Sequence, residues 1–312
     1  MWNASGGADH LWAVARDAAA CATPWGSLRE ELAASTLLSN WGGVTGLSGR
    51  EEERCFRPAQ DVVVPGPVTH ATVERSPLLL PPSERDAQMA ARSTQLFFFG
   101  ALCWKTDNRA RSLEALEKKC ATSYRQPGFL SRYSFGLRYD VWKRHRDAKG
   151  FRLYASDFPP SLPKGGVRLD EEILAARYCL CPSGTGWGMR VFHVIALGCV
   201  PVLVQHDGEH PRVMQAFEPA LNWSAFAISV RKDQVGELPA LLAAADLGAR
   251  QRALATVWSG LGWRDGLREP LRSRLAGPDA FGMTMAALGR LAESRRRSGT
   301  RRPATISAGN AL

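Results

Sequence analysis

Residues 179–204 read Cys179-Leu-Cys-Pro-Ser-Gly-Thr-Gly-Trp-Gly-Met-Arg190-Val-Phe-His-Val-Ile-Ala-Leu-Gly198-Cys-Val-Pro-Val-Leu-Val204 and contain a complete βαβ unit. A short apolar strand runs into a turn rich in proline and glycine, about ten residues of helix follow, and a second apolar strand closes the unit. Units of this kind build parallel sheets with helices on their faces, so the stretch predicts an α/β fold.

The turn inside this unit has the composition of an anion-binding site. Gly184, Gly186 and Gly188 let the backbone bring its N–H groups close to a ligand, and the helix that follows offers unpaired N–H groups. Arg190 in the first helical turn opposes the helix dipole by some tenths of a kcal/mol, unless an anion such as a diphosphate lies between them. The alternative is a plain turn with a solvated Arg190, because this glycine spacing differs from the dinucleotide fingerprint.

The bulk composition is that of a globular protein with a basic excess. The 312 residues are 45% hydrophobic and 22% charged, with a net charge of +10. Much of the excess lies between Arg290 and Arg302, and such a run at a terminus is typical of a solvated, disordered tail. No basic stripe interleaved with aromatic residues is present, so we expect no nucleic-acid partner, and a mildly basic body would equally suit an anionic small-molecule substrate.

The seven cysteines show no zinc spacing, and their number is odd. Three lie in apolar strands and are predicted to be buried small hydrophobic residues: Cys179, Cys181 and Cys199. Four lie in loop-like sequence and could pair in an oxidising lumen, with the pairing left open: Cys21, Cys55, Cys103 and Cys120. Asn3-Ala-Ser and Asn222-Trp-Ser are glycosylation sequons, which matter only in the secretory pathway. The sequence encodes neither an apolar run of membrane-spanning length nor a signal peptide.

Strands and helices alternate from residue 96 onward, which indicates a doubly wound parallel sheet with ligands at the carboxyl ends of its strands. Residues 76–93 are interpreted as an interdomain connection, in which residues 77–82 are extended. Beyond the βαβ unit, the patterns predict strands at 9–15, 62–64, 96–100, 151–155 and 222–230 and helices at 109–119, 133–146, 170–177, 235–245 and 249–258.

Seven sequence blocks, taken in order, resemble the exostosin-like glycosyltransferase family of type GT47. This family comprises inverting sugar transferases that include heparan-sulfate polymerases and plant cell-wall glycosyltransferases. The similarity spans roughly residues 2–265. The blocks are Trp2-Asn-Ala-Ser-Gly-Gly-Ala-Asp-His10, Leu37-Leu-Ser-Asn-Trp-Gly-Gly43, Cys55-Phe-Arg-Pro with Asp61-Val-Val-Val-Pro65, Leu96-Phe-Phe-Phe-Gly100, Tyr133-Ser-Phe-Gly-Leu-Arg138, Cys179 to Arg190 with Gly198-Cys-Val-Pro-Val202, and Leu221-Asn-Trp223 with Phe226.

The resemblance implies a GT-B-like α/β fold, in which two Rossmann-like domains face a cleft. Residues 1–90 would be a partial N-terminal, acceptor-side domain with the connection, and residues 91–265 the domain that binds the nucleotide sugar. Residues 266–312 would be a C-terminal helix and a disordered basic tail. The family further implies a Golgi-lumen type II membrane protein, whose anchor this sequence lacks, and association with itself or with a related transferase.

Carried onto this sequence, the family's donor site maps to the glycine turn. Ser183, Gly184, Thr185, Gly186 and Gly188 would cradle the diphosphate of a UDP-sugar. The guanidinium groups of Arg138 and Arg190 would neutralise it, and charge there lowers the barrier to departure of the nucleotide. The alternative for Arg138 is an exposed helix arginine.

The sequence departs from the family at His193, where many members carry a glutamate. A neutral imidazole offers one donor and one acceptor in place of two acceptors, or the ring simply packs against the sheet. Asp207 and Glu209 follow the second strand of the βαβ unit and would contact the donor sugar; their alternative is a turn built by Asp207-Gly208.

Inversion requires a base that takes a proton from the acceptor hydroxyl of a glycan or glycoprotein. Asp9 and His10, beside Gly6-Gly7, are the candidates for catalysis, against the alternative of a turn-capping Asp9 and a buried His10. The sequence lacks an Asp-x-Asp motif, so no essential metal and no tightly bound cofactor are expected.

Two other functions stay open at this point. One is a catalytically inactive relative that acts as a partner or binding protein. The other is a nucleotide-dependent oxidoreductase, for which Asp207 or Glu209 would be the ribose ligand although the glycine spacing is wrong.

Overall fold

The computed structural model describes residues 6–14, 31–43, 56–103, 110–125, 134–184, 188, 190–206, 213–275 and 277–297. They form two parallel sheets, one of three strands and one of five. The predicted two-part α/β architecture is therefore confirmed.

The three-stranded sheet is built near the amino terminus in the order β1-β2-β3. Its strands are β1 Leu11–Val14, β2 Thr36–Ser39 and β3 Val62–Val63. All pairs are parallel, with Leu38 opposite Val62. The buried Asp61 carboxylate accepts hydrogen bonds from the Leu37 N–H and from the Arg57 guanidinium, which holds the segment leading into β3 against β2.

Two helices and a 3-10 turn connect the sheets. They are α1 His70–Glu74, the turn Pro77–Leu79 and α2 Pro82–Ala90. The prediction of extended chain at 77–82 is wrong. The Ser76 hydroxyl caps the turn by accepting from the Leu78 N–H, and proline is favoured in the first turn of a helix because it lacks the N–H that would be unpaired there.

The five-stranded sheet has the order β5-β4-β6-β7-β8, and every pair is parallel. Its strands are β4 Thr94–Gly100, β5 Phe151–Ala155, β6 Ala176–Pro182, β7 Val200–His206 and β8 Ile228–Arg231. The helices in this part of the chain are α3 Leu113–Arg125, α4 Leu137–His145, α5 Leu169–Ala175, α6 Arg190–Ala196, α7 Leu238–Ala244, α8 Leu247–Val257 and α9 Leu271–Arg274. The predicted βαβ unit is β6, α6 and β7.

Both faces of this sheet are covered, so alternate residues of a strand enter two separate apolar clusters. On β6, Cys179 and Cys181 join the cluster that contains α6, whereas Tyr178 and Leu180 join the cluster that contains α4. Burial on both sides explains why the strands read as continuous apolar runs in the sequence.

The predicted strand at 222–230 begins only at Ile228. Asn222 caps a 3-10 turn, Trp223–Ala225, because its side chain accepts from the Ser224 N–H. Trp223 is buried and its indole N–H donates to the Ala216 carbonyl over 2.8 Å. The side-chain cap and the buried indole override the β propensity of the segment.

Two disulfides tie the second unit together, Cys103 to Cys120 and Cys179 to Cys199, with Cα atoms 5.1 Å and 5.9 Å apart. The prediction that Cys179 and Cys199 are unpaired hydrophobic residues is therefore wrong. It holds for Cys181, which is buried and unbridged, and whose burial raises the pKa of the thiol to about 12.

The last helix, α10 Ala280–Arg297, returns to the first sheet. Arg295 donates to the Thr36 hydroxyl on β2 over 2.9 Å. The prediction of a disordered tail from Arg290 onward is wrong up to Arg297, because α10 buries Thr284 and Ala287 and continues as a helix through its arginines. No helix among the described residues has the length and apolar character to span a membrane.

Candidate active site

The carboxyl ends of β4 and β6 lie side by side, and Arg138 of α4 joins them. Its Nε atom donates to the Ser183 carbonyl over 2.9 Å, and its Nη1 atom donates to the Ala101 carbonyl over 3.1 Å. The Arg138 side chain is therefore partly buried and held in one orientation. It is not the exposed helix arginine of the alternative interpretation.

Arg190, at the start of α6, reaches the same place. The Arg138 and Arg190 guanidinium carbons lie 5.9 Å and 5.2 Å from the centre of the Phe98 ring. One aromatic ring therefore contacts both cations that the resemblance had assigned to the same ligand. Two positive groups brought together in this way favour an anion beside them.

Two glycines, which lack a Cβ atom, leave space for these guanidinium groups to approach the backbone. A Cβ atom at Gly100 would lie 3.3 Å from Arg190 Nη2, and one at Gly184 would lie 3.4 Å from Arg138 Nη2. The Gly184 carbonyl also accepts from the Ser134 N–H over 2.7 Å, just before α4 begins. The glycine turn thus fixes the position of α4 as well as the approach of the arginines.

Ser183 supplies an unusual group at this edge. Its side chain is 1% exposed, and its hydroxyl has no hydrogen-bond partner in the part of the chain that the structure describes. A buried hydroxyl left unpaired destabilises the fold by about 1–3 kcal/mol, so such groups mark places where a ligand or water completes the bonding. Thr185, Gly186, Asp207 and Glu209 lie outside the described residues.

His193 is partly exposed and pairs with an acidic side chain. Its Nε2 atom lies 2.7 Å from Asp170 Oδ1, and Arg75 donates to Asp170 Oδ2 over 3.2 Å. The carboxylate lies in the first turn of α5, whose capping residue, Arg168, makes no side-chain cap. The His193 side chain is 27% exposed and belongs to a hydrogen-bonded cluster of three residues.

Asp9 and His10 form a hydrogen-bonded pair, with Asp9 Oδ1 and His10 Nδ1 2.8 Å apart. His10 stacks on Trp12, with ring centres 6.5 Å apart. The pair precedes β1 and therefore stands at the amino edge of the first sheet. Parallel sheets bind ligands at the opposite edge, roughly 13 Å away for a strand of this length.

That opposite edge holds residues which the sequence interpretation did not select. Gly42, three residues beyond β2, forms an antiparallel bridge with Met214, and the Met214 N–H donates to the Gly42 carbonyl over 2.9 Å. The Phe217 N–H likewise donates to the Val63 carbonyl over 3.0 Å. The two sheets are thus joined by backbone contacts at their carboxyl ends.

A narrow crevice of about 20 Å³, room for one water molecule, lies beside this bridge. Asn40 and Gly188 line it from the two sheets, and Asn40 Oδ1 is buried without a partner among the described residues. On the far wall, Gln215 donates to Gln205 Oε1 over 2.7 Å. Asn40 directly follows an apolar strand in a sequence block already noted, and this position is the signal that could have identified it.

Within the described residues, no group of three or more histidine, cysteine, aspartate or glutamate side chains is arranged to hold a metal ion. Two arginines lie beside Phe98 at the carboxyl edge of the second sheet, and Asp157, paired with Lys119, lies just beyond β5 at the same edge.

The two parallel α/β units and the cationic edge beside the glycine turn define a GT-B-like glycosyltransferase fold. The family model described as the Exostosin GT47 domain matches residues 1–245. The chain therefore belongs to the exostosin GT47 family, which removes the reason for the oxidoreductase alternative.

Curated relatives carry matching names. The probable glucuronosyltransferase GUT1 of Oryza sativa subsp. japonica is 26% identical over 77% of this chain and 48% of the relative. The probable β-1,4-xylosyltransferase IRX10 of Arabidopsis thaliana is 24% identical over 77% and 48%. The probable glucuronoxylan glucuronosyltransferase IRX7 of the same plant is 30% identical over 39% and 25%. The chain spans about half the length of the relatives that it matches most fully.

Proposed function

We propose that this chain is an inverting glycosyltransferase that moves a sugar from a nucleoside diphosphate, a UDP-sugar, to a hydroxyl group of a glycan acceptor. One observation carries the proposal: two guanidinium groups contact the Phe98 ring, and one of them binds the carbonyl of Ser183, whose buried hydroxyl is unpaired among the described residues. Cations and an unused hydrogen-bonding group at the carboxyl edge of a parallel sheet suit a diphosphate.

In the proposed reaction, the acceptor oxygen forms a bond to the anomeric carbon while the bond from that carbon to the diphosphate breaks. The electron pair leaves on the β-phosphate, so negative charge grows beside Arg138 and Arg190. Fixed cations aimed at this charge stabilise the transition state more than the ground state. Because they supply this charge without a metal, we propose that transfer needs none.

The acceptor hydroxyl loses its proton as the bond forms, and Asp9 with His10 remains the proposed base. A carboxylate bonded to one histidine nitrogen orients the ring and leaves the other nitrogen to accept a proton. Their place at the amino edge of β1 speaks against this role, so the assignment is tested directly. D9N and H10Q should lower kcat at least a hundredfold and leave UDP binding intact; unchanged kcat in both variants places the base elsewhere.

The remaining donor contacts are proposals that rest on the family resemblance. Thr185 and Gly186 would complete the phosphate cradle with Gly184 and Gly188, and Asp207 and Glu209 would contact the sugar. His193 would face the ribose while its Nε2 atom stays bonded to Asp170.

The names of the relatives suggest donors and acceptors to try first. They are named for glucuronosyl and xylosyl transfer, and one is named for glucuronoxylan. We propose UDP-glucuronate or UDP-xylose as the donor and a xylan-type chain as the acceptor. We also propose the Golgi lumen as the compartment, supported by the two disulfides, which persist in oxidising compartments.

The test combines binding and turnover. UDP should raise the melting temperature of the protein, since a ligand at a hundred times its Kd adds about 2.7 kcal/mol of stability. Arg190→Ala should remove most of that shift, whereas Arg231→Ala, which changes an exposed ion pair with Asp233, should keep it. Transfer to xylo-oligosaccharides is then read by mass spectrometry, with and without EDTA.

A non-catalytic binding protein is the second candidate, favoured by the position of the Asp9–His10 pair away from the carboxyl edge. A UDP shift without transfer from any donor supports this second candidate. The absence of a shift with any nucleotide contradicts both.

A further inference from the structure

The segment Asn222-Trp-Ser224 forms an exposed turn between β7 and β8. Asn222 and Ser224 are exposed, whereas Trp223 between them is 2% exposed. The Trp223 indole N–H donates to the Ala216 carbonyl over 2.8 Å, and its ring lies 4.9 Å from that of Phe226. Anchoring the middle residue in the core directs the two flanking side chains outward.

The hydrogen bonds of the turn leave one amide nitrogen unused. Asn222 Oδ1 accepts from the Ser224 N–H over 3.1 Å and from the Ser224 hydroxyl over 2.7 Å. Asn222 Nδ2 donates to no atom of the described residues. The carboxamide is therefore oriented by its oxygen, and its nitrogen faces solvent on a fixed turn.

We propose that Asn222 carries an N-linked glycan. The three residues satisfy the acceptor rule of asparagine, any residue except proline, then serine or threonine. The proposal rests on the luminal location put forward above, but it does not depend on transferase activity. The inference adds a modification site on the exposed turn between β7 and β8.

The modification step uses a lipid-linked oligosaccharyl diphosphate as the co-substrate. Asn222 Nδ2 forms a bond to the anomeric carbon, the bond from that carbon to the diphosphate breaks, and the diphosphate leaves with the electron pair. One proton leaves Nδ2 to the base of the modifying enzyme. The remaining N–H and the Oδ1 atom stay on the side chain, so both bonds from Ser224 survive the change.

The fold tolerates a bulky group at this position. Pro219, Ala220 and Ala225, which flank the turn in sequence, are exposed. Asn222 also caps the 3-10 turn through Oδ1 alone, and modification of Nδ2 leaves that cap in place. The attached glycan would therefore leave the packing of Trp223 unchanged.

The experiment expresses the full chain behind a cleavable secretory leader in cultured eukaryotic cells, in an Asn3→Asp background that removes the other sequon. The secreted protein is treated with an amidase that releases N-glycans in heavy-oxygen water, and the peptide with residue 222 is measured by mass spectrometry. We expect a labelled aspartate at 222 and one step of increased mobility on electrophoresis.

Matched variants separate modification from folding. Asn222→Asp keeps an oxygen acceptor for both Ser224 bonds and lacks the amide nitrogen, so it should lose the glycan and melt like the amidase-treated protein. Ser224→Ala should also lose the glycan, whereas Ser224→Thr should keep it. An unmodified Asn222 peptide from secreted protein with both disulfides formed overturns the proposal, as does a glycan that persists in S224A.

Discussion

Gly42→Ala tests whether the two sheets meet as tightly as the structure indicates. A Cβ atom at residue 42 would lie 2.2 Å from the Met214 carbonyl oxygen and 2.8 Å from Val63 Cγ2. The first of these is backbone, which cannot move aside as a side chain can. The φ angle of Gly42 is not positive, so the backbone conformation would accept another residue. The close approach of the Met214 carbonyl alone requires glycine here.

The expected loss of stability in Gly42→Ala follows from the contacts that must shift to accommodate the methyl group. The Met214 N–H bond to Gly42 and the Phe217 N–H bond to Val63 contribute about 1 kcal/mol each. Overpacking by the added methyl group further destabilises the folded state by about 1–3 kcal/mol. Alanine also lowers the conformational entropy of the unfolded chain relative to glycine, which stabilises the protein by about 0.5–1 kcal/mol. We expect a net destabilisation of about 2–4 kcal/mol, which lowers the melting temperature by about 3–6 °C for a chain of 312 residues.

Gly289→Ala is the matched control, measured by thermal and urea unfolding. Gly289 lies on the exposed side of α10 and has nothing within 4 Å of a Cβ atom. Alanine should therefore stabilise the helix by about 0.5–1 kcal/mol. If Gly42→Ala unfolds within 1 kcal/mol of the parent while the control behaves as expected, the contact between the sheets is looser than described.

Three further outcomes can be checked. Ser183→Ala should weaken UDP binding about fivefold to tenfold and leave the free protein as stable or up to about 1 kcal/mol more stable, because an unpaired hydroxyl is removed; calorimetry showing unchanged affinity contradicts this role. Replacing Cys179 and Cys199 by serine should lower the free energy of unfolding by about 3 kcal/mol, as expected for a loop of 20 residues. The native Cys181 thiol should resist iodoacetamide at pH 9, because burial raises its pKa from 9.0 to about 12. The stability that the neutral thiol contributes is fully present below pH 9 and is lost as the pH rises toward 12. Rapid native alkylation contradicts the described burial.

The βαβ unit could be predicted because strands buried on both faces appear in the sequence as continuous apolar runs. The helix between them shows apolar residues at the helical spacing of about 3.6 residues. The same rules failed at residues 77–82 and 222–227. There, side-chain caps from Ser76 and Asn222 select 3-10 turns, and a buried Trp223 overrides β propensity. Local patterns therefore identified the strands better than the turns.

At the candidate site, the sequence selected Arg138 and Arg190, since each stands beside a glycine-containing block. That both guanidinium groups share the Phe98 ring depends on how α4 and α6 pack, and no spacing in the chain records it. Asn40 was missed because its position after an apolar strand is only a weak signal, and the crevice that it lines forms only where the second sheet approaches it.

The sequence by itself determined the α/β class, the order of the βαβ elements, the cationic glycine turn and the family. The first three follow from periodicity and from residue types that are close along the chain, and the family follows from the resemblance of seven sequence blocks. Only the tertiary structure decided that Gly42 meets Met214, that His193 pairs with Asp170 and that Cys179 bridges to Cys199. Each of these contacts joins residues on different elements, and their separation is set by how helices and sheets pack rather than by local propensity.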